Sequence, residues 1–374
     1  MSRRNCPSCG ARYGYELERC TFCAAPLVET ESTSGTAMAV TEVSVPSVGH
    51  EDTPYWCALL QTDDGGSAIV KLGHPVEVGQ RVTMGITDDA ERITVGVLGT
   101  GIMGKGLVEL LLGSGNDVVW IARSQSSLDT ARIKLSERLA RVMDSDELDE
   151  RLGHLDAGTD MAALGRCDLV IEAIVEELEP KKEWLRAAES SMRPDAVLAT
   201  NTSGLPLDEL AEVLEHPGRF GCLHFFNPAT RMRLVEVSVP EQTDAQTLET
   251  LTAFSRALGK VPVTVRSRPA FVVNRVLMPL INEAVRSLEE EAATAEQIDE
   301  AVRLGLNHPM GPLELADLIG LDVIVDIMDN LVERTADSTY APRPMLRELV
   351  AQGHLGRKTH RGFYDHSAPP GAVT

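Results

Sequence analysis

A β-branched apolar run, Ile93-Thr-Val-Gly-Val-Leu98, leads straight into Gly99-Thr-Gly101-Ile-Met-Gly104, and a helical pattern (GLVELLL) follows at once. This junction constrains the fold more than any other stretch. Gly99 permits a tight turn, Gly101 lets the backbone approach a pyrophosphate, and Gly104 lets the helix pack closely on the strand. The first helical residues, Ile102 and Met103, present N–H groups that have no partner inside the helix, which suits an anion. A second strand, Asp117 to Ile121, comes next. Strand, glycine turn, helix and strand in that order predict a dinucleotide-binding site.

The surrounding pattern extends the prediction. From Ile93 to Val265 strands (ITVGVLG, DVVWIA, DLVIEAI, AVLATNTS, GCLHFFNP, VEVSVP, VPVTV) alternate with helical segments. Such alternation implies a parallel sheet with helices on both faces. From Phe271 to Gly356 apolar residues recur at spacings of three and four, which predicts an all-helical domain. Upstream, from Val40 to Asp89, short apolar runs broken by Asp63-Asp64-Gly65-Gly66 and Gly73 predict a small β-barrel. Glu29 to Ala39 is polar and suits a linker, and HSAPPGAVT at the end suits a frayed tail. The expected fold class is therefore α/β: a Rossmann doubly wound sheet plus an all-α C-terminal domain, preceded by a cysteine-rich knuckle and a small barrel. The expected domains are 1–28, 36–90, 92–267 and 268–365.

Four of the seven cysteines fall in the first 23 residues, as Cys6-Pro-Ser-Cys9 and Cys20-Thr-Phe-Cys23. Each CxxC can turn two sulfurs toward one ion, and two such knuckles complete a tetrahedron. Four thiolates suit a structural zinc, held as in a zinc ribbon. Cys57, Cys167 and Cys222 sit among apolar neighbours and read as inert core thiols. The net charge of −21 argues against a nucleic-acid partner or an anionic membrane surface, since both need a basic patch. The start, MSRRNCPSCG, has no apolar signal region, and no apolar run approaches the ~20 residues of a spanning helix. With the thiol usage, this gives an expected cytoplasmic location.

Two resemblances follow from these residues. The knuckle together with TPYWCALLQTDDGGSAIVKLGHPVEVGQRVTM resembles the zinc-ribbon and OB-fold modules found beside thiolase-like and other acyl-CoA enzymes. From Ile93 onward the chain resembles the 3-hydroxyacyl-CoA dehydrogenase family. The motifs that carry the likeness are GTGIMGKG at Gly99, VIEAIVEELEPKK at Val170, NTSGL at Asn201 and HFFNPATRMRLVEV at His224. FVVNRVLMPLINEA at Phe271, NHPMGPLELADLIGLD at Asn307 and LGRKTHRGFYD at Leu355 continue it.

Oxidising an alcohol needs a base for the hydroxyl proton while hydride leaves, and reduction needs the same group as an acid. A histidine serves both directions near neutral pH. His224 lies at the end of a strand, and Glu236, an acid among apolar residues, can hold the far ring nitrogen. The resemblance implies that Ser203 bonds the substrate oxygen and that Asn274 steadies substrate and cofactor. It places Glu176 and Lys181 at the cofactor ribose and nicotinamide, Asn201 in the cofactor site, and Asn227 beside the histidine. The family also implies a 3S alcohol and a homodimer through the helical domain, with which the apolar density of Val323 to Leu331 agrees.

The sequence departs from the family at two places. The second strand of the family ends in an acid that binds the adenosine 2′-hydroxyl, and Ala122 stands there. Arg123 and Ser124 would accept a 2′-phosphate by charge-assisted hydrogen bonds, so NADP(H) is expected over NAD(H). The stretch where the family makes a CoA-binding helical hairpin reads here as short and acidic (MDSDELDE), which makes an acyl-carrier-protein thioester a plausible substrate beside acyl-CoA. The expected activity is an NADP(H)-linked, biosynthetic 3-hydroxyacyl thioester dehydrogenase. The alternatives are a dehydrogenase of a hydroxy-dicarboxyl thioester or free hydroxy acid, and a non-catalytic binding protein of the same fold.

Overall fold

The computed structural model describes residues 92–367 except 142, and, before them, residues 4–5, 11–13, 28–29, 34–43, 55–62, 67–72 and 76–83. The chain divides into two compact units, Met1–Glu91 and Arg92–Thr374.

The first unit holds strands β1 (Arg4–Asn5), β2 (Ala11–Tyr13), β3 (Val28–Glu29), β4 (Ser34–Val43), β5 (Tyr55–Thr62), β6 (Ser67–Leu72) and β7 (Arg81–Thr83). They form one sheet in the order β3-β1-β2-β6-β5-β4-β7. Strands β7, β4, β5 and β6 pair antiparallel, and β2 joins β6 in parallel. Ala37, Ala58 and Leu60 are buried, with Val40 and Val76 packed on them. The expected linker Glu29 to Ala39 is corrected here, because most of it is strand. A bulge between Ala37 and Ala39 breaks the alternation that would have marked it, since a bulge sets two residues opposite one. No pairing among the described residues joins β3 to β7, and Cys6, Cys9, Cys20 and Cys23 lie outside the described residues.

The second unit begins with β8 (Thr94–Leu98), α1 (Ile102–Gly113), β9 (Asp117–Ile121), α2 (Gln125–Leu139), α3 (Ser145–Gly153) and β10 (Leu155–Gly158). It continues with β11 (Leu169–Glu172), α4 (Leu178–Ser191), β12 (Val197–Thr200), α5 (Leu207–Ala211), β13 (Phe220–Phe225), β14 (Leu234–Ser238), α6 (Ala245–Ala257) and β15 (Val261–Thr264). These strands form a second sheet in the order β10-β9-β8-β11-β12-β13-β14-β15. Successive strand residues enter opposite cores. Val95, Val97, Val118, Trp120 and Ile171 face one layer, whereas Leu98, Val119, Ile121, Val170 and Leu198 face the other. A sheet covered on both faces needs apolar residues at every position, which is why these strands read as continuous apolar runs.

Two expectations change in this sheet. β10 was not foreseen. It is a half-exposed edge strand containing Asp156 and Gly158, so it lacks the apolar run of its neighbours. The sheet is also not wholly parallel, because β14 runs antiparallel to β13 and β15 follows β14. Only residues 226–233 connect β13 to β14, and a parallel return needs a crossover of about a dozen residues or more.

The remainder is helical: α7 (Val273–Glu289), α8 (Ala295–Gly305), α9 (Pro312–Ile319), α10 (Leu321–Thr335) and α11 (Pro344–Ala351). Met278, Ile281 and Val285 of α7 meet Leu313 and Ala316 of α9 and Ile324, Met328 and Leu331 of α10. The apolar density of Val323 to Leu331 thus serves mainly this internal core, although Val323 remains exposed. The chain end is fastened rather than frayed as far as Ser367. Buried Asp317 accepts from Phe363 N, Tyr364 N and His366 Nε2 at 2.9, 3.0 and 2.9 Å. A Cβ at Gly362 would collide with that carboxylate at 2.0 Å, which accounts for the glycine in the RGFYD motif. Among the described residues no helix is long and apolar enough to cross a membrane.

Candidate active site

The glycine loop is shaped by contacts on three sides. Gly99 has φ +108°, and a Cβ there would meet Ala173 O at 2.5 Å. A Cβ on Gly104 would meet Gly99 O at 2.1 Å, so α1 can approach the loop only without a side chain. The buried Trp120 donates its Nε1–H to Gly99 O at 2.8 Å and fixes the turn from below. At Gly101, by contrast, a Cβ would meet nothing within 4 Å. That open space lies at the N-terminus of α1, whose N-cap Gly101 contributes no side-chain hydrogen bond. Free N–H groups facing an open cradle fit the pyrophosphate of a dinucleotide. Ile102 is exposed at the helix start, and Met103 packs against the sheet core.

The end of β9 leads to a second helix start. Ala122 is buried, Arg123 is exposed, and Ser124 is the N-cap of α2, accepting from Ser127 N at 3.3 Å. The hydroxyls of Ser126 and Ser127 each lie 3.2 Å from Ser124 Oγ. The first turn of α2 contains no acid. An arginine, three hydroxyls and a helix N-terminus therefore meet at the position where an adenosine ribose would sit.

His224 and Glu236 are brought together by strand register. They are direct partners across the antiparallel β13–β14 pair. His224 Nδ1 is 2.8 Å from Glu236 Oε2, and both side chains are buried. The carboxylate partner assigns the proton to Nδ1 and leaves Nε2 as the nitrogen open to substrate. The other oxygen, Oε1, accepts from Val272 N and Val273 N at 3.0 Å each, so the start of α7 docks on the same carboxylate. Burial pushes the Glu236 carboxyl up, but the hydrogen bonds from His224, Val273 and Val272 and the histidine's charge outweigh it and hold it below its usual value. The rings of Phe226 and Phe271 flank the imidazole at 4.5 and 5.6 Å.

Other expected residues gather nearby. Asn201 Oδ1 accepts from Phe225 N at 2.9 Å and so steadies the strand end that bears His224. Asn274 lies in the first turn of α7, beside the residues that hold Glu236. Asn227 precedes Pro228 through a cis peptide in the β13–β14 connection. Cys222 and Cys167 are free and buried, and burial pushes the Cys167 thiol up to about 12.

Ser203, Glu176 and Lys181 form a further network. Glu176 Oε1 accepts from Thr202 Oγ1, Ser203 N and Ser203 Oγ at 2.6, 2.7 and 3.0 Å. Lys181 is fully buried, with Nζ 3.3 Å from Glu176 and 2.7 Å from Glu172. Its ammonium therefore reaches the site through Glu176. Glu172, Thr200 and Thr202 were not foreseen from the sequence. The available signal was an acid closing the apolar strand Leu-Val-Ile-Glu172.

Comparison with known proteins agrees with this geometry. Residues 94–268 match the family described as 3-hydroxyacyl-CoA dehydrogenase, NAD binding domain, and residues 271–366 match its C-terminal domain. A 3-hydroxybutyryl-CoA dehydrogenase of Clostridioides difficile is 41% identical over 276 residues, covering 72% of this chain and 98% of that protein. The human mitochondrial hydroxyacyl-coenzyme A dehydrogenase is 38% identical over 284 residues, covering 73% of this chain and 90% of its own. The crystal structure of an (S)-3-hydroxybutyryl-CoA dehydrogenase from Ralstonia eutropha superposes with a TM-score of 0.70. It is 38% identical and covers 74% of this chain and all of that one.

Proposed function

The chain belongs to the 3-hydroxyacyl-CoA dehydrogenase family, and from that premise we propose that it interconverts a (3S)-3-hydroxyacyl thioester and its 3-oxoacyl form with NADP(H), in the reductive direction. The observation that carries this reading is the buried His224–Glu236 pair at 2.8 Å. When bound, the nicotinamide supplies the hydride acceptor or donor. In oxidation His224 Nε2 takes the C3 hydroxyl proton, and in reduction it returns one to the same oxygen. Glu236 keeps the ring in the useful tautomer and stabilises the imidazolium that forms. Ser203 and Asn274 polarise the oxygen. Phe226 and Phe271 keep water from the imidazole.

A substrate panel tests this reading. Acetoacetyl-CoA and longer 3-oxoacyl-CoA thioesters are expected to be reduced, with carrier-protein thioesters as a parallel arm. The latter arm is motivated by α3, whose N-cap Asp144 and first-turn Asp146 and Glu147 concentrate negative charge. Turnover of free hydroxy acids, with no thioester accepted, would remove the proposal. A homodimer through the helical domain and a cytoplasmic location complete it.

For residues 1–91 the proposal is a structural zinc held by Cys6, Cys9, Cys20 and Cys23 beside an OB-like module. Four thiolates in a closed set leave no position for substrate, so the metal supplies stability rather than chemistry. Elemental analysis of protein purified without chelator is expected to find one zinc per chain, reduced by Cys6→Ser, with dehydrogenase activity retained. Metal-free protein at that step would rule the zinc out.

A further inference from the structure

Resting on the dehydrogenase reading above, we infer that Glu172 is a positioning residue of this site: its buried carboxylate anchors Lys181, and through Lys181 it fixes where the Glu176 carboxylate meets Ser203. Glu172 ends β11, directly opposite Leu98 of β8 and Thr200 of β12. It is wholly buried, and both oxygens are engaged. Oε1 accepts from Lys181 Nζ and Ile174 N, each at 2.7 Å, and Oε2 accepts from Thr200 Oγ1 at 2.6 Å. A buried carboxylate this fully satisfied cannot shift, so it fixes whatever it binds.

The charges explain why one carboxylate is not enough. Lys181 lies between Glu172 and Glu176, so the group carries one net negative charge. With Glu172 absent, Lys181 and Glu176 would neutralise each other, and Glu176 would be drawn inward to the ammonium. With Glu172 present, the lysine is shared and Glu176 keeps charge for Ser203. The groups facing Lys181 of α4 are Glu172 from β11, Glu176 from the following loop and Cys222 from β13. Burial lowers the lysine, but the two carboxylates outweigh it and raise it above its usual value. Burial keeps the Cys222 thiol neutral, so it does not compete.

The arrangement suits the serine's task. Ser203 Oγ donates to Glu176 Oε1 at 3.0 Å, while Thr202 Oγ1 and Ser203 N hold the same oxygen at 2.6 and 2.7 Å. The carboxylate therefore stays in place when the serine hydrogen rotates to a substrate oxygen. The position of Ser203 is set by an ionic chain that ends on Glu172.

The test is Glu172→Gln in the full chain, which keeps shape and removes charge. With (S)-3-hydroxybutyryl-CoA and saturating oxidised cofactor, the direction in which His224 acts as the free base, kcat is expected to fall about tenfold, less than the ~10²-fold that a 1 Å misplacement can cost. Substrate KM is expected to change less. Lys181 then keeps one carboxylate in a dry site and gives up its proton more readily, so the kcat profile gains an alkaline fall that the parent lacks. A purely structural role would lower thermal stability without adding that limb. Glu172→Gln combined with Lys181→Met leaves no ammonium to titrate, and the new limb is expected to vanish. A limb that persists overturns the assignment, as does a folded Glu172→Gln with kcat and alkaline flank unchanged. If Glu172→Gln fails to fold, Thr200→Val removes the 2.6 Å bond without changing charge. It is expected to move kcat and the flank in the same direction by less, and an unchanged profile overturns the inference. His224→Ala, run alongside, separates the two readings. Retained turnover there removes the dehydrogenase mechanism, whereas lost turnover with silent Glu172 and Thr200 variants removes this inference alone.

Discussion

Replacing His224 by alanine is expected to lower kcat for thioester turnover by about 10²- to 10⁴-fold, the usual worth of a positioned acid–base group. Cofactor affinity is expected to stay nearly constant, because the glycine loop and the α2 start lie on other strands. Stopped-flow turnover and cofactor titration of the same preparation measure both. Near-normal kcat would show that the proton moves by another route. Glu236→Gln makes a finer test of the same pair. The amide keeps contacts with Val272 N and Val273 N but cannot stabilise an imidazolium by charge. The imidazolium that forms in oxidation and the one that donates in reduction both lose that stabilisation, so kcat is expected to fall in both directions while cofactor affinity holds. An unchanged kcat would mean that Glu236 acts other than through charge.

Much of this site was legible because its chemistry is local. Gly104 acts through contact with Gly99, five residues away, and the strand before and the helix after the loop appear in the sequence, although the contact that closes in on Gly99 itself comes from distant Ala173. His224 was legible as a strand-end histidine. Its pairing with Glu236 depends on more, namely that β14 turns back antiparallel, which the short 226–233 connection dictates but apolar periodicity does not show. Glu172 stands out in the sequence only as an acid closing an apolar strand, which says nothing of its partners. Its partners come from α4, from β12 and from its own loop, and strand order β8-β11-β12 assembles them. The same holds for Asp317, whose partners lie 46 and more residues along the chain. Buried acids in apolar segments are the residues whose meaning waits for tertiary structure, because burial obliges them to find distant donors. The linker reading of Glu29 to Ala39 failed for a local reason. A bulged strand of small and hydroxyl residues looks like a linker when alternation is the only guide.

NADPH is expected to bind at least about tenfold more tightly than NADH. The end of β9 offers Ala122, which is buried and uncharged, where an acid would repel a 2′-phosphate. Arg123 stands exposed beside it, and Ser124 caps a helix whose first turn carries no acid. A helix N-terminus favours an anion by its own partial charge, and the hydroxyls of Ser124, Ser126 and Ser127 add donors that can turn toward it. Each charge-assisted hydrogen bond is worth roughly 1.5–3 kcal/mol, and about 1.4 kcal/mol is tenfold in affinity. One good bond therefore suffices for the stated preference. Ala122→Asp with Arg123→Ile is expected to reverse it, by adding repulsion as well as removing attraction. Isothermal titration of both cofactors with parent and variant measures the two effects separately. Equal or tighter binding of NADH by the parent would leave Arg123 to stack on adenine. It would also remove the reason for assigning a reductive, biosynthetic role, because only the 2′-phosphate connects this strand end to the NADPH pool.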